Sequence, residues 1–309
     1  MIDDIRKKII EDDNCKLSIE ELKEIYEMES NTQKCIEFVL YLYKNRNILK
    51  DLISLYGRNK IAINLDELNE NTICYVDNLE YDEMLPTYNL KYIYGSLIYE
   101  LDEIYNLENL EVVIGNAIFY KVNSSEGLES LRAVGRDLSL DYIYNSYGLE
   151  NLKYIGNHAH FSRLRDASGL SNLEFIGFNA YLHNLKSSKG LEKLKYIGQN
   201  ALFEQLQDAS GLLSIKYMGS ANFSSLEESK GLENLEVIND DAYFNSLKSA
   251  EHLNSLISIF GDANFPCLKN SFGLKDNLYV AGEQNFGGMS LSELKSNEKN
   301  KKYKISYFK

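Results

Sequence analysis

From Pro86 to about residue 287, apolar residues recur in a unit of about 21 residues rather than with a simple helix or strand period. A Gly-Leu pair opens copies at Gly127, Gly148, Gly169, Gly190 and Gly211, always 21 residues apart. It returns at Gly231 after a one-residue deletion, gives way to His252-Leu253, and reappears at Gly273. Asn106-Leu107 opens an earlier copy, and PTYNLKYIYGSLIYELDEIY is a worn one. TICYVDNL around Cys74 reads as a further candidate copy. A period of this length marks an array of stacked coils, here about nine or ten of them.

With each unit numbered from its glycine, the Gly190 copy places Leu191, Leu194 and Ile197 at positions 2, 5 and 8. Ala201 and Phe203 follow at 12 and 14, and Leu206 at 17. Steps of three suit tight turns or 3₁₀-helix, whose side chains eclipse every third residue. A step of two is a strand with one buried face. The unit therefore predicts a short helical turn, a bend at Gly198, a short strand and a second bend. Position 19 is a short polar residue in most copies (Asp166, Ser187, Asp208, Ser249, Asn270) and suits a cap on backbone N–H groups. A single unit cannot bury its apolar face, but stacked units can, with strands about 4.8 Å apart.

The run L-x-x-L-x-x-I-G-x-x-A-x-F-x-x-L-x-S-x-x-G-L resembles the leucine-rich repeats of receptor L domains. It is also similar to bacterial repeats that carry S-I-G-x-x-A-F. This resemblance implies a right-handed leucine-rich-repeat solenoid of α/β class with one parallel β-sheet, used to bind proteins and in some members glycans. The chain departs from the common signature: Asn200 and its equivalents precede the A-x-F strand instead of following it. Flanking cysteine caps are absent.

A solenoid needs its ends covered. Residues 1–60 predict an α-helical N-terminal cap, with Ser18-Ile-Glu-Glu21 as a capping box and a second helix over Thr32–Tyr56. The same segment could form a small independent domain. Residues 61–287 are the solenoid. Over 288–309, the alternation of Tyr303, Ile305 and Tyr307 predicts a capping strand beside a basic tail.

Composition narrows the function. The start MIDDIRKKIIEDD lacks an apolar stretch, so no secretory signal is expected, and no apolar run is long enough to span a membrane. Cys15, Cys35, Cys74 and Cys267 lack metal-site or redox spacing, and with no secretory signal they read as thiols of a cytoplasmic protein. The chain carries a formal charge of −13, and residues 61–290 alone hold 16 basic against 32 acidic residues. That surface repels nucleic acid and favours a basic protein partner, although acidity also serves solubility. No nucleotide, nucleophile-elbow or zinc-protease motif is present, so no enzyme and no cofactor are expected.

Function is then expected at the outward positions of the strand. Column 13 contains His160, Tyr181, Leu202 and Tyr243. Column 11 contains Asp137, His158, Asp241 and Asp262, either as a ladder satisfying backbone groups at the bend or as an acidic rim. His183 lies at position 15. These nine residues are the candidate partner-binding face. His158, His160 and His183 also raise the question of a shared ion, but no cysteine or carboxylate clearly completes a ligand set, so no metal is assigned. Tyr154, Phe175, Tyr196 and Tyr217 at position 7 read as a sealing stack. The expected function is a non-enzymatic protein-binding solenoid, in a sharper form an acidic inhibitor or immunity-type protein for a basic partner. A glycan-binding or glycan-cleaving β-solenoid is the alternative, and a structural spacer a further one. The oligomeric state is left open.

Overall fold

The structure, a computed structural model, describes residues 61–62, 73–74, 78–80, 90, 92–93 and 95–306. They fall in two compact units, one ending at His160 and the other beginning at Phe161. Each unit is a solenoid of parallel strands that repeats about every 21 residues.

Each coil contributes two strand segments where the sequence predicts one. In the second unit the expected strand at positions 12–14 appears as Ala180–Tyr181, Ala242–Tyr243, Ala263–Phe265 and Gln284–Phe286. A further ladder runs through positions 7–8, as Phe175–Ile176, Val237–Ile238, Ser258–Ile259 and Tyr279–Val280. In Tyr196–Leu202 and Tyr217–Asn222 the two segments join. The one-residue deletion is absorbed there, as a register shift between Ile197 and Asn200. The first unit repeats the pattern, for example Val112–Val113 and Ala117–Phe119 followed by Ala133–Val134 and Leu138–Ser139.

The steps of three are tight turns. Leu191 N–H donates to Ser188 O at 2.9 Å, Leu194 N–H to Leu191 O at 3.0 Å, and Leu206 N–H to Phe203 O at 3.0 Å. Ser168–Leu170 and Ser210–Leu212 are assigned as short 3₁₀-helices. The bend at position 19 is closed by the expected caps. Asp208 Oδ1 accepts from Ser210 N–H at 3.0 Å, and Asn270 Oδ1 from Phe272 N–H at 3.0 Å. Asn106, which stands where most copies have glycine, adopts φ +58°, a conformation that asparagine tolerates better than most residues.

Inward positions build the core. Phe203, Phe223, Phe244, Phe265 and Phe286 are fully buried and stack coil on coil, with ring centroids 4.8–5.3 Å apart. Strand spacing sets that distance, which suits offset aromatic stacking.

The expected class and cap need correction. Among the described residues there is one α-helix, α1 (Leu291–Ser306), at the C-terminal end. The chain is therefore a mostly β parallel solenoid instead of an α/β fold. The α-helical N-terminal cap over 1–60 lies outside the described residues and has no support. Helix α1 also includes Tyr303 and Ile305, where alternation predicts a strand. It is started by a reciprocal cap: Ser290 N–H donates to Glu293 Oε2 at 2.8 Å, and Glu293 N–H to Ser290 Oγ at 3.3 Å. Glu298 then accepts from both Ser271 N–H and Ser271 Oγ at 2.6 Å, fastening the helix to the last coil.

Candidate functional site

The outward face of the strand at positions 11–15 is built by alternation. Ala201 and Phe203 are buried, so Asn200, Leu202 and Glu204 between and beside them point outward and are half-buried.

In the first unit, Asp137 Oδ1 accepts from His158 N–H at 3.2 Å and from Asn157 Nδ2 at 2.8 Å. The rings of His158 and His160 lie 5.7 Å apart, tilted by 48°. Burial holds His160 below the ordinary histidine range. The carboxylates of Asp141 and Asp137 oppose that shift, and His158 adds to it.

In the second unit, Tyr181 lies 5.9 Å from the ring of His183, and its hydroxyl accepts from Asn179 Nδ2 at 3.0 Å. Tyr243 is exposed and donates to Asp241 Oδ2 at 2.8 Å. That bond raises its pKa, with added effect from desolvation and from the charges of Asp241, Asp262 and Asp240.

Column 11 works as a ladder. Asn179 Oδ1 accepts Asn200 N–H at 3.0 Å, Asp241 Oδ1 accepts Asp262 N–H at 2.8 Å, and Asp262 Oδ1 accepts Glu283 N–H at 2.8 Å. Each side chain satisfies the backbone of the next coil at the bend, where strand pairing is interrupted. Asp137, Asp241 and Asp262 therefore each have one oxygen engaged in the fold.

A feature that column reading misses is a chain of side-chain hydrogen bonds running along the face. His183 Nδ1 lies 2.9 Å from Glu204 Oε2, and Asn222 Nδ2 donates to Glu204 Oε1 at 3.2 Å. Ser224 Oγ donates to Asn222 Oδ1 at 2.7 Å and accepts from Asn245 Nδ2 at 3.1 Å. Asn264 Nδ2 donates to Asn245 Oδ1 at 2.7 Å, and Asn285 Nδ2 to Asn264 Oδ1 at 2.8 Å. Two of its links, Asn222 to Glu204 and Asn264 to Asn245, cross from position 13 to position 15 of a neighbouring strand, within diagonal reach. The signal in the sequence was the polar run His183, Glu204, Ser224, Asn245 at position 15.

The nine expected residues thus divide between the units. Asp137, His158 and His160 share a face in the first. Tyr181, His183, Leu202, Tyr243, Asp241 and Asp262 share one in the second. Among the described residues no group of three or more His, Cys, Asp or Glu side chains is arranged to hold a metal ion. The aromatic column at position 7 is a face-to-face stack in the second unit, with Phe175, Tyr196 and Tyr217 at 4.7 Å steps. Tyr196, in the middle, has both of its ring faces covered.

No family model matches the chain, and no curated protein or solved structure does. The resemblance to leucine-rich repeats therefore rests on the period and the stacked parallel strands. No described helix is long and apolar enough to cross a membrane.

Proposed function

We propose that this chain is a non-enzymatic, protein-binding solenoid of leucine-rich-repeat type, acting through the outward strand face of its second unit. Tyr181, Leu202 and Tyr243 are the anchors, and His183, Asp241 and Asp262 are polar neighbours. His160, His158 and Asp137 form the corresponding face of the first unit. The observation that carries this reading is the hydrogen-bond chain from His183 to Asn285. Side chains already fixed by one another lose little freedom on docking, and preorganisation of that kind is what makes contact area productive. Tyrosines are enriched in such surfaces because they bring large area with few rotatable bonds. The acidic balance of residues 61–290 supports a basic partner, as for an inhibitor or immunity-type protein. The exposed free thiol of Cys267 fits a cytoplasmic setting.

The test is quantitative affinity capture from the native cell with wild type, Tyr181→Ser/Tyr243→Ser, and Leu213→Ser as an exposed control from another side of the coil. Circular dichroism would first establish that all three are folded. A protein retained by wild type and control but lost by the double variant supports the reading. Identical retention by all three overturns it. Glycan-array binding lost only in the double variant would replace a protein partner with a carbohydrate.

A further inference from the structure

A second surface lies on a different side of the coils, at positions 6–11 of the last three. Its three stacked segments are 236–241 (EVINDD), 257–262 (ISIFGD) and 278–283 (LYVAGE). Exposed apolar side chains gather here: Ile257, Phe260 at 51% and Tyr279 at 55%. The Phe260 and Tyr279 rings are 5.8 Å apart and inclined by 59°, leaving faces open to solvent. Ile257 O accepts Tyr279 N–H at 3.0 Å, which places the isoleucine beside the pair.

Carboxylates border these rings through the backbone. Asp262 follows Phe260 by two residues, and Glu283 stacks on Asp262 through the 2.8 Å ladder bond. Asp240 lies under Gly261, whose N–H donates to Asp240 O at 3.0 Å. The three segments hold five acids, Glu236, Asp240, Asp241, Asp262 and Glu283, and no lysine or arginine. Lower in the same unit the sign differs, because Lys195 and Lys216 stand at position 6 and pair with Glu174 and Glu236. Tyr243, one column away, feels the same negative field from Asp240, Asp241 and Asp262.

We infer that Ile257, Phe260 and Tyr279, bordered by Asp240, Asp262 and Glu283, form a docking surface for an arginine-bearing basic segment of a partner protein. An exposed apolar patch of this kind marks an interaction site, and its all-acidic border selects a cationic occupant. Guanidinium satisfies both halves at once. It stacks on aromatic faces and forks onto carboxylates, whereas an ammonium is a compact, strongly hydrated charge. This surface shares Asp262 with the polar face described above, but its apolar residues Ile257, Phe260 and Tyr279 are not part of that face.

The probes are acetylated tetra-arginine amide and acetylated tetra-lysine amide, titrated into the full ¹⁵N-labelled chain. Tetra-arginine should bind and move amides in 236–241, 257–262 and 278–283. Phe260→Ser/Tyr279→Ser should weaken tetra-arginine by about fivefold or more and change tetra-lysine by less than about twofold. Asp240→Asn/Asp262→Asn/Glu283→Gln should weaken both peptides. It keeps an acceptor in column 11, where Asn116 and Asn179 already serve, so the ladder survives. Tyr181→Ser, a lesion of the polar face, should leave peptide binding intact. The inference is overturned if tetra-arginine fails to bind, or if shifts spread equally over the acidic residues of 127–160. Equal losses for both peptides in the aromatic variant also overturn it. So does a wild-type dimer that Phe260→Ser/Tyr279→Ser renders monomeric, since the occupant is then a second copy.

Discussion

Replacing Gly190 and Gly288 by alanine separates the cost of a backbone conformation from the cost of crowding two coils. The glycines have similar geometry, φ +100° and +84°. An L side chain pays about 1–2 kcal/mol at such angles. At Gly288 an added Cβ meets nothing within 4 Å, so that strain is the whole effect. At Gly190 the Cβ would sit 2.0 Å from Ala167 O, 2.4 Å from the same carbonyl carbon and 2.6 Å from Ser168 Cα. All three are backbone atoms of the neighbouring coil and cannot rotate away. Restoring even a 3.0 Å contact means separating the coils locally by about 1 Å. Bonds between the same two coils, such as Lys195 N–H to Glu174 O and Gln199 N–H to Phe178 O, both 2.9 Å, would then exceed hydrogen-bonding range. Losing two bonds at about 1 kcal/mol each, on top of the strain, gives about 3–4 kcal/mol. Urea unfolding followed by circular dichroism measures both variants against wild type, provided the slope with denaturant is unchanged. Equal midpoint shifts for Gly190→Ala and Gly288→Ala would refute the argument that coil contact, rather than conformation alone, demands glycine at position 1.

Two further outcomes follow from the core and from His160. Phe244→Ala, in the middle of the buried ring stack, should cost about 3–5 kcal/mol in the same assay, and Phe244→Leu clearly less, since Leu140 and Leu182 occupy this position in other copies; equal losses would mean that the stack is not packed as described. His160 has a pKa below the ordinary 6.5, so the unfolded chain takes up the proton first, and stability present above that value falls as pH drops from 6.5 to the depressed folded value. His160→Gln should flatten the dependence of the urea midpoint between pH 7.5 and 5.5, and an unaltered slope would contradict a folded-state pKa below the ordinary value.

Much of the fold was legible because a stacked coil writes its inward positions again in every copy. Ala201 and Phe203 identified the strand, and Asp208 and Asn270 the capped bend, from local chemistry alone. The strand at positions 7–8 was not legible, because its backbone pairs with the same positions of other coils. Nothing in Tyr196-Ile197 itself distinguishes that arrangement from the end of a turn. At the C-terminal end two local signals competed. The alternation of Tyr303, Ile305 and Tyr307 suggests a strand, but Ser290-x-x-Glu293 starts a helix and Glu298 anchors it to Ser271. The polar chain on the candidate face escaped for a geometric reason. Its members switch between positions 13 and 15, so either column read alone shows a broken series, and only the diagonal joins Asn222 to Glu204.

The acidity of the chain also changes meaning once its carboxylates are placed. Glu129, Glu150, Glu192 and Glu233 recur at position 3, where each accepts the N–H of its own coil's glycine. Asp137, Asp241 and Asp262 serve the ladder, and Asp166 and Asp208 cap the next bend. These acids recur because a coil rich in turns leaves backbone donors that its strands cannot satisfy. A large negative balance is therefore partly a by-product of the architecture, and the placement of the acids says more about what the protein meets than their total does. What discriminates is where that architecture departs from its own pattern. Lys195 and Lys216 offset Glu174 and Glu236 at position 6, and in the coils that follow the charge there gives way to Ile257 and then Leu278. In that stretch exposed rings appear beside the acids. A departure confined to the last two coils is not required by stacking, and selection for a contact explains it more directly than solubility does.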